Sequence, residues 1–380
     1  AVTVSSVLHH DGATPESALP AIRAFDRVRD LSDDELTALW PLVILRGAVL
    51  VLSGRAQVRL DDENEYATVA LDREFRILVQ AASVPIPVIT AATRAALGRS
   101  RAEEPAWTGT PVLSLDRHVE LDASTESPLN DAGAWLDAAT LDDAALAALD
   151  AGADVVTVPA WRARLTGTTD PLPSTPETVP PDVLVWLARP ATLDRSERDE
   201  HGSQIVTTDA GTLAIGGVPA DAASGTLPAR TRLSMRRSLD GLVPPSRTTR
   251  ALADAWREVA GDPGAALGLP SPTTETDDVL ERRHEVLAEV QEHYYATPPR
   301  IERGWREHLI DVNGRVYLDM VNNVASVGHA HPHVVAAATR QMHLLNTNSR
   351  FHYGAIAEYA ERIAATLPEE LDTVFFVNSG

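Results

Sequence analysis

The sequence has no cysteine, and no lysine occurs anywhere in it: all 33 basic residues are arginine. Without cysteine there are no disulfides, thiolate zinc sites or cysteine nucleophiles. Long hydrophobic runs are also missing. The apolar run from Pro41 to Leu52 contains Arg46 and is short for a bilayer span, and nothing near Ala1 resembles a signal peptide, so a cytoplasmic location without a membrane partner is expected. Positive charge is scarce, with 54 acidic against 33 basic residues and a formal net charge of -21. Such a field repels phosphate backbones, which argues against a nucleic-acid partner; solubility or adaptation to salt accounts for the acidity. No internal repeat or heptad array is present, which sets aside solenoids and coiled coils.

What is there is a chain of 380 residues, 44% hydrophobic and 23% charged, long enough for two or three domains with their own cores. Residues 1–98 read as a helical lobe. Ser32 followed by Asp33, Asp34 and Glu35 forms an N-cap and acidic first turn, and further helices are expected at Tyr66 to Ala82 and Pro87 to Leu97. Residues 99–276 shift toward Ala, Asp, Pro, Gly and Thr. Strands are expected at Val112 to Leu115, Val155 to Val158, Val183 to Leu187 and Ile205 to Thr208, with exposed linkers at Thr166 to Pro181 and Leu269 to Thr276.

Residues 277–380 begin with an amphipathic helix over Asp277 to His293. Asn313-Gly314 is a two-residue turn signal between Ile301 to Asp311 and Arg315 to Val321. Helices are expected from Pro332 to about Leu345 and from Tyr353 to Leu367, and a buried strand at Thr373 to Val377. That strand would deliver Asn378, Ser379 and Gly380 to a strand-to-helix turn, where backbone N–H groups can cradle a phosphate; taken alone, Asn-Ser-Gly is an ordinary turn. Arg350, beside Asn346 and Asn348, is suited to an anionic substrate group such as a phosphate monoester, the alternative being a solvated loop arginine. Tyr353 and Asn323 are candidates for the same pocket. His329, His331 and His333 alternate, but Pro332 starts a helix and the rings diverge, so no metal cluster is expected.

The order Trp305, Asp311-Val-Asn-Gly314, Tyr317-Leu-Asp319, Gly328-His-Ala-His-Pro332, Asn346 to Phe351 and Phe375 to Gly380 resembles the N-terminal segment of class III, fold-type I pyridoxal-phosphate aminotransferases. Asn322-Asn323 and Leu345-Asn-Thr-Asn-Ser-Arg350 are similar to the ethanolamine-phosphate phospho-lyase branch. The resemblance covers about Glu281 to Gly380. It implies pyridoxal 5'-phosphate as cofactor, Ser379 and Gly380 in its phosphate motif, Gly328-His-Ala-His-Pro332 as a turn shaping the active-site floor, a small amine substrate and a homodimer. It also implies a Lys that forms a Schiff base with the cofactor. No Lys is present, so this chain is expected to be inactive by itself.

The first hundred residues are similar to the C-terminal end of an aminoglycoside-phosphotransferase-like kinase lobe, around Asp30 to Glu35, Trp40 to Val43 and Ala70 to Asp72. Fusions of such a lobe to a class III domain sometimes carry a lysostaphin-like zinc endopeptidase domain between the two. Only His118 and His201 occur between Gly98 and Thr276, so an eroded, metal-free β-rich domain or a spacer is expected there. The resulting expectation is a multidomain α/β chain: helical lobe, β-rich middle, incomplete aminotransferase segment. Two alternatives remain, a kinase-like phosphotransferase fusion and a non-catalytic interaction module.

Overall fold

The computed structural model describes residues 1–60, 65–100, 104–108, 110–113, 116–165, 178–193, 196–223, 225–270, 279–288, 290, 295, 298–321, 324–347 and 350–377. It is a mixed α/β structure built on a mixed sheet.

Helices open the chain: α1 (Val2–Val7), α2 (Leu19–Asp26), α3 (Asp33–Leu60), α4 (Glu65–Ala82) and α5 (Ile86–Ala96). The start of α3 is a reciprocal capping box. The Glu35 N–H donates to Ser32 Oγ at 3.2 Å and the Ser32 N–H to Glu35 Oε2 at 2.9 Å. The run Pro41 to Leu52 lies inside this helix of 28 residues, which by length and composition is long and apolar enough to cross a membrane. It is apolar on two opposite faces. Trp40, Val43, Gly47, Val51 and Gly54 are buried, and a Cβ on Gly47 would come within 3.0 Å of the Leu78 backbone in α4. Leu42, Leu45, Val49 and Leu52 are exposed on the other side.

The middle region carries β1 (His118–Glu120), α6 (Thr140–Asp150), β2 (Val155–Val158), β3 (Thr178–Val179), β4 (Val183–Leu187), β5 (Ala191–Thr192), β6 (Ser196–Arg198), β7 (Gln204–Thr208), β8 (Gly211–Gly216), β9 (Thr226–Leu227), β10 (Leu233–Ser238), β11 (Thr248–Thr249) and α7 (Arg250–Ala260). Seven of these strands form one sheet in the order β1-β2-β4-β10-β8-β7-β6, and β3–β11 and β5–β9 pair separately. Only β1 and β2 run parallel in the large sheet.

All of β4 is buried, because both faces of the sheet are covered at that point. Val183, Val185 and Leu187 enter a core that also holds Leu8, Trp40, Val88, Ile89 and Trp256, so helices from the first hundred residues and α7 share one apolar interior with the sheet. Leu184 and Trp186 face the other way, onto Leu141, Ala145 and Leu149 of α6. The Trp186 indole N–H donates to Asp142 Oδ1 at 2.9 Å. Where composition shifts near residue 98, helices give way to strands and the core runs on across it.

Val112 to Leu115 does not form the expected strand in its described part. Val112 donates to Ala266 O at 2.8 Å and Leu113 is buried, but neither joins a ladder; Pro111 ahead of them has no N–H to give, and residues 114–115 lie outside the described residues.

The last region contains α8 (Val279–Val286), β12 (Ile301–Trp305), β13 (His308–Asp311), β14 (Val316–Leu318), α9 (Pro332–Leu344) and α10 (Gly354–Ala364). The helix expected over Asp277 to His293 is described as α8 alone, without a buried residue. Thr373 to Val377 is not a buried strand. It joins no ladder among the described residues, and Phe375 and Val377 are 87% and 64% exposed. Phe376 instead stacks on Tyr359 of α10 with ring centroids 5.4 Å apart. A strand needs a second chain segment to take its N–H and C=O groups, whatever its own sequence prefers.

Candidate functional site

The strands β12, β13 and β14 form an antiparallel meander. Asn313-Gly314 closes its second turn, with Gly314 at φ +77. Asp311 organises that turn. Its carboxylate accepts from the Asn313 and Arg315 N–H groups at 2.9 and 3.0 Å and from the Tyr317 hydroxyl at 3.0 Å. The first turn carries no comparable signal. Trp305 pairs with His308, which makes Arg306 and Glu307 a two-residue loop with Arg306 at φ +52. The stretch Ile301 to Asp311, read as one arm of a hairpin, is therefore itself a hairpin.

A long-range contact holds the unusual backbone of Arg306. Its N–H donates to His329 O at 3.0 Å, and the His329 N–H donates to Arg306 O at 2.7 Å. Gly328, at φ +85, lies close enough to Arg306 that a Cβ would meet its carbonyl oxygen at 3.0 Å. The His329 ring fills the space beside Gly304, where a Cβ would come within 2.6 Å of it. On its far side, Nε2 of His329 bonds Asp319 Oδ2 at 2.7 Å, and the Asp319 N–H donates to Glu307 O at 2.8 Å. The Gly328 to Pro332 turn is thus pinned to the meander through one histidine–carboxylate pair, both side chains mostly buried. His331 is the N-cap of α9 and His333 lies in its exposed first turn. Among the described residues no group of three or more His, Cys, Asp or Glu is placed to hold a metal ion.

Of the predicted binding residues, Arg350 is exposed on the connection between α9 and α10, as is Asn346. Tyr353 is half-buried and is the N-cap of α10, with extended φ and ψ. Asn323, Asn348, Ser379 and Gly380 lie outside the described residues. The pairs that do the local work, Arg306–His329 and His329–Asp319, were not anticipated. Their only signal was glycine at Gly304 and Gly328, where a close approach and a positive φ leave no room for a side chain.

Residues 290–380 match the model of the family Aminotransferase class-III. The chain is 38% identical over 107 residues to an alanine–glyoxylate aminotransferase 2-like protein of Drosophila melanogaster, covering 28% of this chain and 22% of that protein. It is 42% identical over 105 residues to the human mitochondrial alanine–glyoxylate aminotransferase 2, covering 27% of this chain and 20% of that one. Against ethanolamine-phosphate phospho-lyase homolog 1 of Caenorhabditis elegans it is 36% identical over 105 residues, covering 27% and 22%. The chain therefore spans about a fifth of the length of the curated relatives it matches. No solved structure matches it significantly.

Class III aminotransferases use pyridoxal phosphate. The side chains present do not fit the aldehyde end of that group, because none of them carries a primary amine. The meander, α9 and α10 make up a region similar to the class III aminotransferases.

Proposed function

We propose that residues 290–380 are the opening part of a class III, pyridoxal-phosphate-dependent aminotransferase or phospho-lyase that acts on a small amine as a homodimer in the cytoplasm. The observation that carries this reading is the family match over the region where the meander, the pinned Gly328 to Pro332 turn and the two following helices occur in the expected order. Asn323, Asn348 and Arg350, with Tyr353, are assigned to an anionic substrate group, which favours a phosphorylated amine. Ser379 and Gly380 are assigned to the cofactor phosphate. In the same reading α1 to α5 are the end of an aminoglycoside-phosphotransferase-like lobe, and the seven-stranded sheet is an eroded peptidase-like or spacer domain. Residues 1–380 do not catalyse by themselves, since the Lys that would hold the cofactor is not among them.

The test is an extended chain. Expressed with whatever its gene encodes after Gly380, it should attach pyridoxal phosphate to a Lys that borohydride traps and mass spectrometry locates. The 380-residue chain should label at no side chain. A gene ending at Gly380, or an extended chain without a reactive Lys, overturns the reading.

A further inference from the structure

The segment from Asp122 to Leu136 makes contacts with the meander that go beyond close packing. Three of its backbone carbonyls converge on one guanidinium: Arg303 in β12 donates from Nε to Thr125 O at 2.8 Å, from Nη2 to Ser127 O at 2.8 Å and from Nη1 to Asn130 O at 3.0 Å. Nη1 also donates to Asp131 Oδ1 at 2.9 Å, and the charge sits 6.0 Å from the Trp135 ring centroid. The Arg303 side chain is 14% exposed.

The same segment seats Trp305, two positions further along the strand. Trp305 meets Trp135 edge-on, with centroids 5.5 Å apart, and both belong to a small core with Leu165 and Ile310. Ala132 and Gly133 follow one another at φ +53 and +80, and a Cβ on Gly133 would lie 2.5 Å from the Trp305 ring. The seat exists only because glycine stands there.

The receptor side is braced by its own bonds. Ser127 Oγ donates to Asp122 O at 2.6 Å and accepts from the Leu129 N–H at 3.2 Å, and Asn130 Nδ2 donates to Ser124 O at 2.5 Å. Thr125, Ser127 and Asn130 are buried to 1% or less exposure. Its carbonyls are therefore aimed by contacts that do not involve the meander. The three oxygens are met by three different nitrogens of one rigid planar guanidinium, where a lysine ammonium would offer a single nitrogen on a flexible stem.

We propose that residues 122–136 are a docking receptor for an Arg-Gly-Trp strand, and that this receptor sets how the class III-like region sits on the upstream sheet. The arrangement makes the upstream region a positioning module: releasing Arg303 frees the meander together with the His329 turn bonded to it. The inference rests on the contacts alone and stands or falls separately from the pyridoxal-phosphate reading.

Hydrogen exchange of the full chain, read by mass spectrometry, tests it. Arg303→Met should speed exchange in residues 122–136 and in β12 together, by about tenfold to a hundredfold, with β7 and β8 unchanged. Unchanged exchange in either segment overturns the proposal. Should Arg303→Met unfold the chain wholesale, Arg303→Lys decides. It keeps the charge and loses the fork, so coupled local loss of protection supports the receptor, and wild-type protection or a uniform rise everywhere overturns it.

Discussion

The helices α5 and α10 are each eleven residues long and each amphipathic, yet Val88 to Arg94 are all buried in the first and no residue is buried in the second. The same contrast holds for the regions around them. Upstream, one core joins α1, α3, α5 and α7 to a seven-stranded sheet. Downstream, beyond the meander, α9 has no buried residue, and Val335, Met342, Leu344 and Phe351 are well exposed. A helix satisfies its own interior backbone hydrogen bonds, so a local pattern can specify where it forms without naming what covers its apolar face. Stability, however, comes from the covering, and the two regions should therefore respond very differently to loss of an apolar side chain.

Trp40→Ala should have the largest effect. The indole is 1% exposed and its N–H donates to Ala81 O at 2.9 Å, so urea unfolding should show a loss of about 3 to 5 kcal/mol. A loss no larger than that of an exposed site would mean the upstream core is not continuous.

The next effect is pH-dependent. Asp262 is buried beside Arg237, Arg257 and Glu104, and burial raises its carboxyl from 3.8 to about 6. A carboxyl with a raised folded pKa binds its proton more readily in the native state than in the unfolded chain. Its contribution to stability is therefore complete below pH 3.8 and declines as pH rises toward about 6. Asp262→Asn should remove this decline, leaving the variant more stable than wild type above the window by up to about 3 kcal/mol. Parallel stability curves for the two proteins between pH 4 and 6 would contradict it.

Gly133→Ala should cost about 1 to 3 kcal/mol, because the added Cβ meets the Trp305 ring and the backbone is left-handed. A thermal melt of the two proteins checks this, and an unchanged melt would place Trp305 elsewhere. The smallest effect belongs to α9. Met342→Ala, at a side chain 71% exposed, should shift stability by no more than about 0.5 kcal/mol. A loss of about 2 kcal/mol would show that this face is covered and erase the contrast between the two regions.

Much of the element order was legible beforehand. The N-cap at Ser32, the Asn313-Gly314 turn and the helix opened by Pro332 depend on neighbours within a few positions, and the strands at Val155 to Val158 and Val183 to Leu187 showed in their short apolar runs. The misses were of another kind. Thr373 to Val377 has the composition of a buried strand, and Arg306-Glu307 lacks the composition of a turn, yet the first pairs with nothing described and the second closes β12 onto β13. At the site, motif order pointed to the region around His329 but not to its partners.

By itself, the sequence determined the local grammar and the chemistry that is excluded: where helices start, which turns need glycine, and that no lysine amine or cysteine thiol is available. It also determined the likeness of residues 290–380 to class III aminotransferases. Only the tertiary structure decided that helices on one side of residue 98 and strands on the other share a core, that Asp319 holds His329, and that Arg303 lies in a cage of carbonyls. The reason is physical. Capping and turn formation are settled between near neighbours and depend on side-chain type, whereas three of the four oxygens that receive Arg303 are main-chain atoms more than 170 positions away and carry no residue signature.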